Sequence, residues 1–196
     1  MTKRAEDLDA TRRELVQATL DVAAEGGLDA LTMQAVANRA DVAVRTVYNY
    51  FDSREALIAA AMGRLTARTR EAVERIEVPD GSPRERLLAF VSAYVASYEE
   101  QGATLPIVFG SVHVPMVGEV VEEMRAWRRR ELQRILRSAE RAGALSVSVR
   151  EALAVCYLAT AYATYATMVG DLRVSPESAR VSLVEMVDRA VCGAAQ

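Results

Sequence analysis

Residues that usually carry chemistry are scarce in this chain. It holds one histidine, two cysteines and one tryptophan in 196 residues, so a metal site built from His and Cys clusters is not expected, and neither is a disulfide scaffold. Cys156 and Cys192 stand apart in apolar stretches, with no secretory signal at the N-terminus, and read as buried reduced thiols. No G-x-S-x-G, glycine-rich phosphate loop or paired-His motif occurs. The expectation is a protein that is not an enzyme and that uses no metal or cofactor. Charge of one sign is lacking too: the net charge is -3, and residues 1–70 hold ten basic against ten acidic side chains. Bulk charge therefore supplies no attraction for a polyanion, and any such binding must come from where individual Arg side chains stand.

What is present is apolar and helical. Half the residues (51%) are hydrophobic, enough for one large or two small domains. Residues 1–7 read as a mobile polar arm, in which Lys3 and Arg4 would permit a minor-groove contact. A first helix is expected from Ala10 to Glu25, with Leu15, Ala18, Val22 and Ala23 at core spacing and Gly26-Gly27 ending it. Leu28, Leu31, Val36, Val42, Val47 and Phe51 complete a small three-helix core.

The stretch Leu31–Leu57 is the most informative. Thr32 is placed to cap a short helix whose apolar side is Val36, Ala37 and Ala40, and Asp41 falls where a turn is needed. In the next helix Val47 and Phe51 lie four apart on one face, while Arg45, Thr46, Tyr48 and Asn49 project from the others. Two short helices with a tight turn, one face apolar and one rich in hydrogen-bonding groups, form a DNA-reading shape.

Thr32, Val36-Ala37, Ala40-Asp41-Val42-Ala43, Thr46-Val47-Tyr48, Tyr50-Phe51 and Ser53-Arg54-Glu55-Ala56-Leu57 resemble the TetR family of bacterial transcriptional regulators (TetR/AcrR type). The resemblance covers about fifty residues strongly and the remainder in its all-helical layout. Three positions depart from the pattern: Asp41 stands for the usual turn Gly, Ala43 for the Ser that caps the recognition helix, and Met33 for a second Thr. The resemblance implies an all-α fold, with an N-terminal three-helix helix-turn-helix DNA-binding domain and a C-terminal helical ligand-binding and dimerisation domain. It implies base contacts from Val44, Arg45 and Tyr48 with Gln34 in reach, and phosphate contacts from Thr32, Thr46, Asn49, Tyr50 and Arg54.

Ser53 is expected to cap a connector helix over 53–77, between a DNA-binding domain at 8–52 and an effector and dimerisation domain at 78–196. Pro79-Asp80-Gly81-Ser82-Pro83 reads as a loop, followed by a helix to Gln101. Met116–Ala142 reads as an amphipathic helix whose Arg128-Arg129-Arg130, Arg134, Arg137 and Arg141 form a solvated face balanced by glutamates. Ala152–Gly170 is nineteen residues without a charge, long enough for a membrane span. It is rich in Ala and Thr, however, and lacks basic and aromatic flanks, so a helix buried on most sides is expected and no membrane partner.

Phe90, Tyr94, Tyr98, Phe109, His113, Met116, Met124, Trp127, Tyr157, Tyr162 and Tyr165 fall in the helices where the family forms its effector pocket. Singly, such residues are more often core. Together they suit a small, mostly apolar effector with a few polar groups. The expected protein is a cytoplasmic, homodimeric, ligand-responsive repressor of an inverted-repeat operator. Two alternatives are an effector-independent DNA-binding activator or architectural dimer, and a helical small-molecule-binding protein without DNA function.

Overall fold

The structure is a computed structural model that describes residues 3–75, 81–102, 105, 109 and 115–193, with side chains from Leu8 onward except Leu28. Its elements are α-helical, with no strand among the described residues. In order they are α1 (Lys3–Ala30), α2 (Met33–Arg39), α3 (Val44–Tyr50), α4 (Arg54–Glu74), α5 (Pro83–Gln101), α6 (Pro115–Arg141), α7 (Val149–Ala159), α8 (Tyr162–Ala166) and α9 (Pro176–Val187). The chain divides into two compact units, Met1–Ala67 with Gly102–Glu123, and Arg68–Gln101 with Met124–Gln196. Of the three dividing points, one falls inside α4, one at the end of α5 and one inside α6.

In the first unit the helical backbone begins at Lys3, so the expected polar arm is largely helix rather than coil. The helix breaks at Gly27, whose φ of 71° and ψ of -172° suit a residue without Cβ. Leu15, Ala18, Val22 and Ala23 are buried as their spacing requires. Thr32 caps α2, its hydroxyl oxygen accepting from the Ala35 amide at 3.0 Å. Asp41 takes the left-handed conformation (φ 53°), and the Val42 amide returns to the Ala37 carbonyl at 3.0 Å to close the turn. Ala43 stands at the α3 N-cap with no side-chain hydrogen bond. Ser53 caps α4 through the Ala56 amide at 3.1 Å. Leu15, Leu31, Val36, Ala37, Val47, Phe51 and Leu57 form one core with Val117 and Val121 of α6.

The second unit is built on α5 and α9. Leu87, Phe90, Val91, Tyr94 and Val95 of α5 and Ala179, Leu183 and Val187 of α9 are buried. Arg84–Asp188 at 2.7 Å and Arg180–Glu99 at 3.1 Å tie the two helices together by half-buried ion pairs. Ser148 and Glu151 form a reciprocal capping box at the start of α7, which holds the Glu151 carboxyl below the usual carboxylate range through hydrogen bonds from Ser148. Ser175 with Pro176 opens α9.

The uncharged stretch 152–170 is not the single, mostly buried helix expected from its composition. It breaks at Thr160-Ala161, where α7 ends and α8 begins, and the halves bend by 49°. The break centres on Thr160: its hydroxyl turns back to the Cys156 carbonyl at 2.7 Å, and its carbonyl is taken by Tyr98 and Arg128. A π-helical turn, Thr167–Asp171, follows. No single described helix is long and apolar enough to cross a membrane. Leu158 is 64% exposed and Leu172 66%, and Val181 and Met186 of α9 also lie open, so this apolar surface is not used within the second unit itself.

The uncapped start of α3 makes the first test. Ala43→Ser should stabilise the protein by about 1 kcal/mol by supplying the missing N-cap, read as a higher midpoint in urea at unchanged slope.

Candidate nucleic-acid interface and aromatic cluster

The face of α3 follows from what holds the helix down. Val47 is fully buried and Phe51 nearly so, with the Arg12 guanidinium 5.1 Å from the centroid of the Phe51 ring. Anchored there, α3 turns Arg45, Tyr48 and Asn49 outward; Tyr48 is 53% exposed. Thr46 is half-buried. Val44 and Tyr50 are half-buried as well and pack against the unit's core, so each offers less of its surface outward than the exposed residues do. Gln34 is exposed on α2, its amide donating to Asn38 Oδ1 at 2.8 Å. Thr32 is exposed with its oxygen engaged in the cap.

The nearby cations differ in their freedom. Arg39 is held by Asp21 at 3.2 Å and Glu25 at 2.8 Å, and Arg54 donates from Nε to the Leu31 carbonyl at 2.7 Å, locking the start of α4 to the α1–α2 joint. Arg45 forms no ion pair among the described residues. A guanidinium in that state, on an exposed helix face, can pair with the O6 and N7 acceptors of a guanine edge. Asp41 places a carboxylate at the exposed turn beside it.

The second unit gathers most of the aromatic residues. Phe90, Tyr94 and Trp127 stack in a triangle with ring centroids 5.8 to 6.4 Å apart. Tyr98 meets Tyr94, Tyr162 and Tyr165 at 5.7, 5.6 and 5.5 Å. Tyr157 joins through Arg128, whose guanidinium lies 4.0 Å from its centroid and 5.4 Å from that of Tyr94. Met124 is buried in the same unit. Three residues do not join the rings. Phe109 packs against the apolar core of the first unit, Met116 belongs to that unit and is 44% exposed, and His113 lies outside the described residues.

Arg128 is the residue missed on the sequence. Placed with a solvated basic face, it is instead 6% exposed. It donates to the Thr160 carbonyl, which also accepts from the Tyr98 hydroxyl at 2.8 Å. The signal was in the spacing: Arg128 falls midway between Met124 and Leu132, in register with the buried stripe of α6. Arg134, paired with Glu131 at 2.8 Å, fits the solvated face as expected. Burial pulls the Arg128 guanidinium down, but the Tyr94, Tyr98 and Tyr157 oxygens around it outweigh that and hold it above its ordinary range. It stays charged. Burial pushes the Tyr98 phenol well up and the Tyr94 phenol up, so both remain neutral donors. A buried polar chain, Gln101 to Thr69 at 2.9 Å and Thr69 to Ser97 at 3.2 Å, runs beside them. The outer face of α9 carries an open depression of about 520 Å³ that shares no residue with the rings.

A helix-turn-helix anchored by Val47 and Phe51 defines a class of DNA-binding fold, and the comparisons name it. Residues 15–61 match the model of "Bacterial regulatory proteins, tetR family". The HTH-type transcriptional repressor KstR of Mycolicibacterium smegmatis is 43% identical over 76 residues, 39% of this chain and 37% of that protein. The HTH-type transcriptional regulator BetI of Klebsiella pneumoniae is 34% identical over 112 residues, 54% of this chain and 57% of that protein. The chain thus spans between about a third and somewhat over half the length of these relatives. A TetR transcription regulator from Haloarcula marismortui shares the fold with a TM-score of 0.76 at 20% identity, over 93% of this chain and 99% of that one. A tetR-family regulatory protein from Rhodococcus RHA1 does so with a TM-score of 0.75 at 19% identity, over 95% and 98%. The match to that family thus lies in the helix-turn-helix, residues 15–61, and the chain as a whole shares the fold of these solved structures.

The thiols give a test of the second unit. Burial, with Cys192 adding to it, pushes the Cys156 thiol up to about 12, whereas Cys192 is raised less and is partly exposed. A thiol reagent at neutral pH should therefore label Cys192 first, with Cys156 reacting only on unfolding. Equal labelling rates in the native protein would contradict the packing of α7.

Proposed function

We propose that the chain is a cytoplasmic transcriptional repressor that binds an inverted-repeat operator as a homodimer and releases it when a small molecule occupies its second unit. The observation that carries this reading is the α3 surface, where Arg45, Tyr48 and Asn49 stand exposed on a helix fixed by Val47. Relatives named as repressors and regulators support it. In this reading Arg45 contacts base edges with Tyr48 and Gln34, and Val44 adds an apolar contact at the helix edge. Thr32, Thr46, Asn49, Tyr50 and Arg54 grip phosphates, Arg54 being positioned by the bond from its Nε to the Leu31 carbonyl.

Dimerisation would use the open apolar residues Leu158, Val181 and Met186, and it would set two copies of α3 in successive major grooves roughly 34 to 36 Å apart. The effector would act through differential affinity for two states of the protein, with couplings of about 1 to 3 kcal/mol. No catalytic role enters the reading.

Gel-shift titration with the DNA upstream of the chain's own gene tests it. Binding should depend on a palindrome and fall steeply with salt. Arg45→Ala should lower discrimination at one base position in each half-site by about 1 to 3 kcal/mol. Asp41→Gly should tighten binding to all sequences, since it removes an anion from the turn and relieves a positive φ. Binding that is indifferent to sequence and salt would sink the reading.

A further inference from the structure

The second unit holds two cations that its own packing leaves incomplete. Arg128 and Arg70 each have a buried Nε with no hydrogen-bond partner among the described residues. No ion pair to either guanidinium occurs among those residues. Buried polar groups are seldom left unmade, and a buried charge without a counter-ion is costly. Both guanidiniums lie against the ring stack, Arg70 5.5 Å from the Trp127 centroid and Arg128 5.4 Å from that of Tyr94. Trp127 and Tyr157 are only half-buried, so the cluster has an exposed edge. Two cations, neutral phenol donors and a run of aromatic faces complement a molecule with an anionic head and an apolar body.

We propose that the effector is an amphiphilic carboxylate whose head group is bound by Arg128, with Arg70 as a second cation, and whose apolar body lies along the half-buried Trp127 and Tyr157. Carboxylate oxygens accept from a guanidinium in the fork geometry that the unpartnered Nε leaves open. The alternative, that Arg128 only braces the α7–α8 break through Thr160, gives no preference among ligand head groups. The inference deepens the effector half of the proposed function and rests on that reading for its biological meaning, but binding is measured without DNA.

The readout is built in, because Trp127 is the only tryptophan in the chain. Its fluorescence in the full-length protein is titrated with octanoate, dodecanoate and phenylacetate, each against the alcohol and the amine of the same skeleton. At least one carboxylate should bind saturably and about tenfold or more tighter than its alcohol and its amine. Arg128→Gln should remove that preference, and Arg70→Gln should reduce it. If Arg128→Gln fails to fold by circular dichroism, the wild-type comparison and Arg70→Gln decide alone. No saturable change with any carboxylate, equal affinity for carboxylate and alcohol, or tighter binding of the amine overturns the proposal. Carboxylate binding that leaves DNA retention untouched would uphold the site and remove the repressor mechanism. DNA binding without carboxylate binding would do the reverse.

Discussion

Everything the N-terminal unit offers to a partner depends on the burial of Val47 and Phe51. Two apolar side chains four residues apart fix the rotation of a seven-residue helix too short to be stable alone. Once they are buried, the outward directions of Arg45, Tyr48 and Asn49 are settled by helical geometry. The turn before α3 is held by a left-handed Asp41 and a bare Ala43, so packing, more than capping, keeps this helix in place. Function here is a by-product of a core.

The second unit has a different kind of constraint. Its organising contact is one carbonyl, that of Thr160, which accepts from Tyr98 and Arg128 and so joins α5 and α6 to the break between α7 and α8. A helix carbonyl diverted to two side chains cannot continue its own ladder, and the chain turns. The same contact brings a permanent positive charge among the rings, the feature on which the proposed carboxylate site rests.

These two regions differ in how much of them was legible in the sequence, and the difference is one of range. Thr32, Ser53, Asp41 and the Val47/Phe51 pair act within a few residues, and each was readable from local spacing. Pro83–Gln101 was readable for the same reason. For Arg128 only the inward register with Met124 and Leu132 was readable; its contacts were not, because Tyr98 and Thr160 lie about thirty residues away on either side. The break at Thr160 was hidden likewise, since composition alone favours one continuous helix. Phe109 and Met116 have the residue types of a pocket but belong to the other unit, a matter of topology that no spacing within the segment reveals.

Whether α3 reads base edges is decided by methylation protection at guanine N7 on selected DNA, because N7 lies in the major groove, where α3 would sit. Protection is expected at two symmetry-related guanines about one helical turn apart, lost on Arg45→Ala while the protein stays folded. Unprotected guanines under a retained complex, or protection indifferent to Arg45, would contradict base reading by α3.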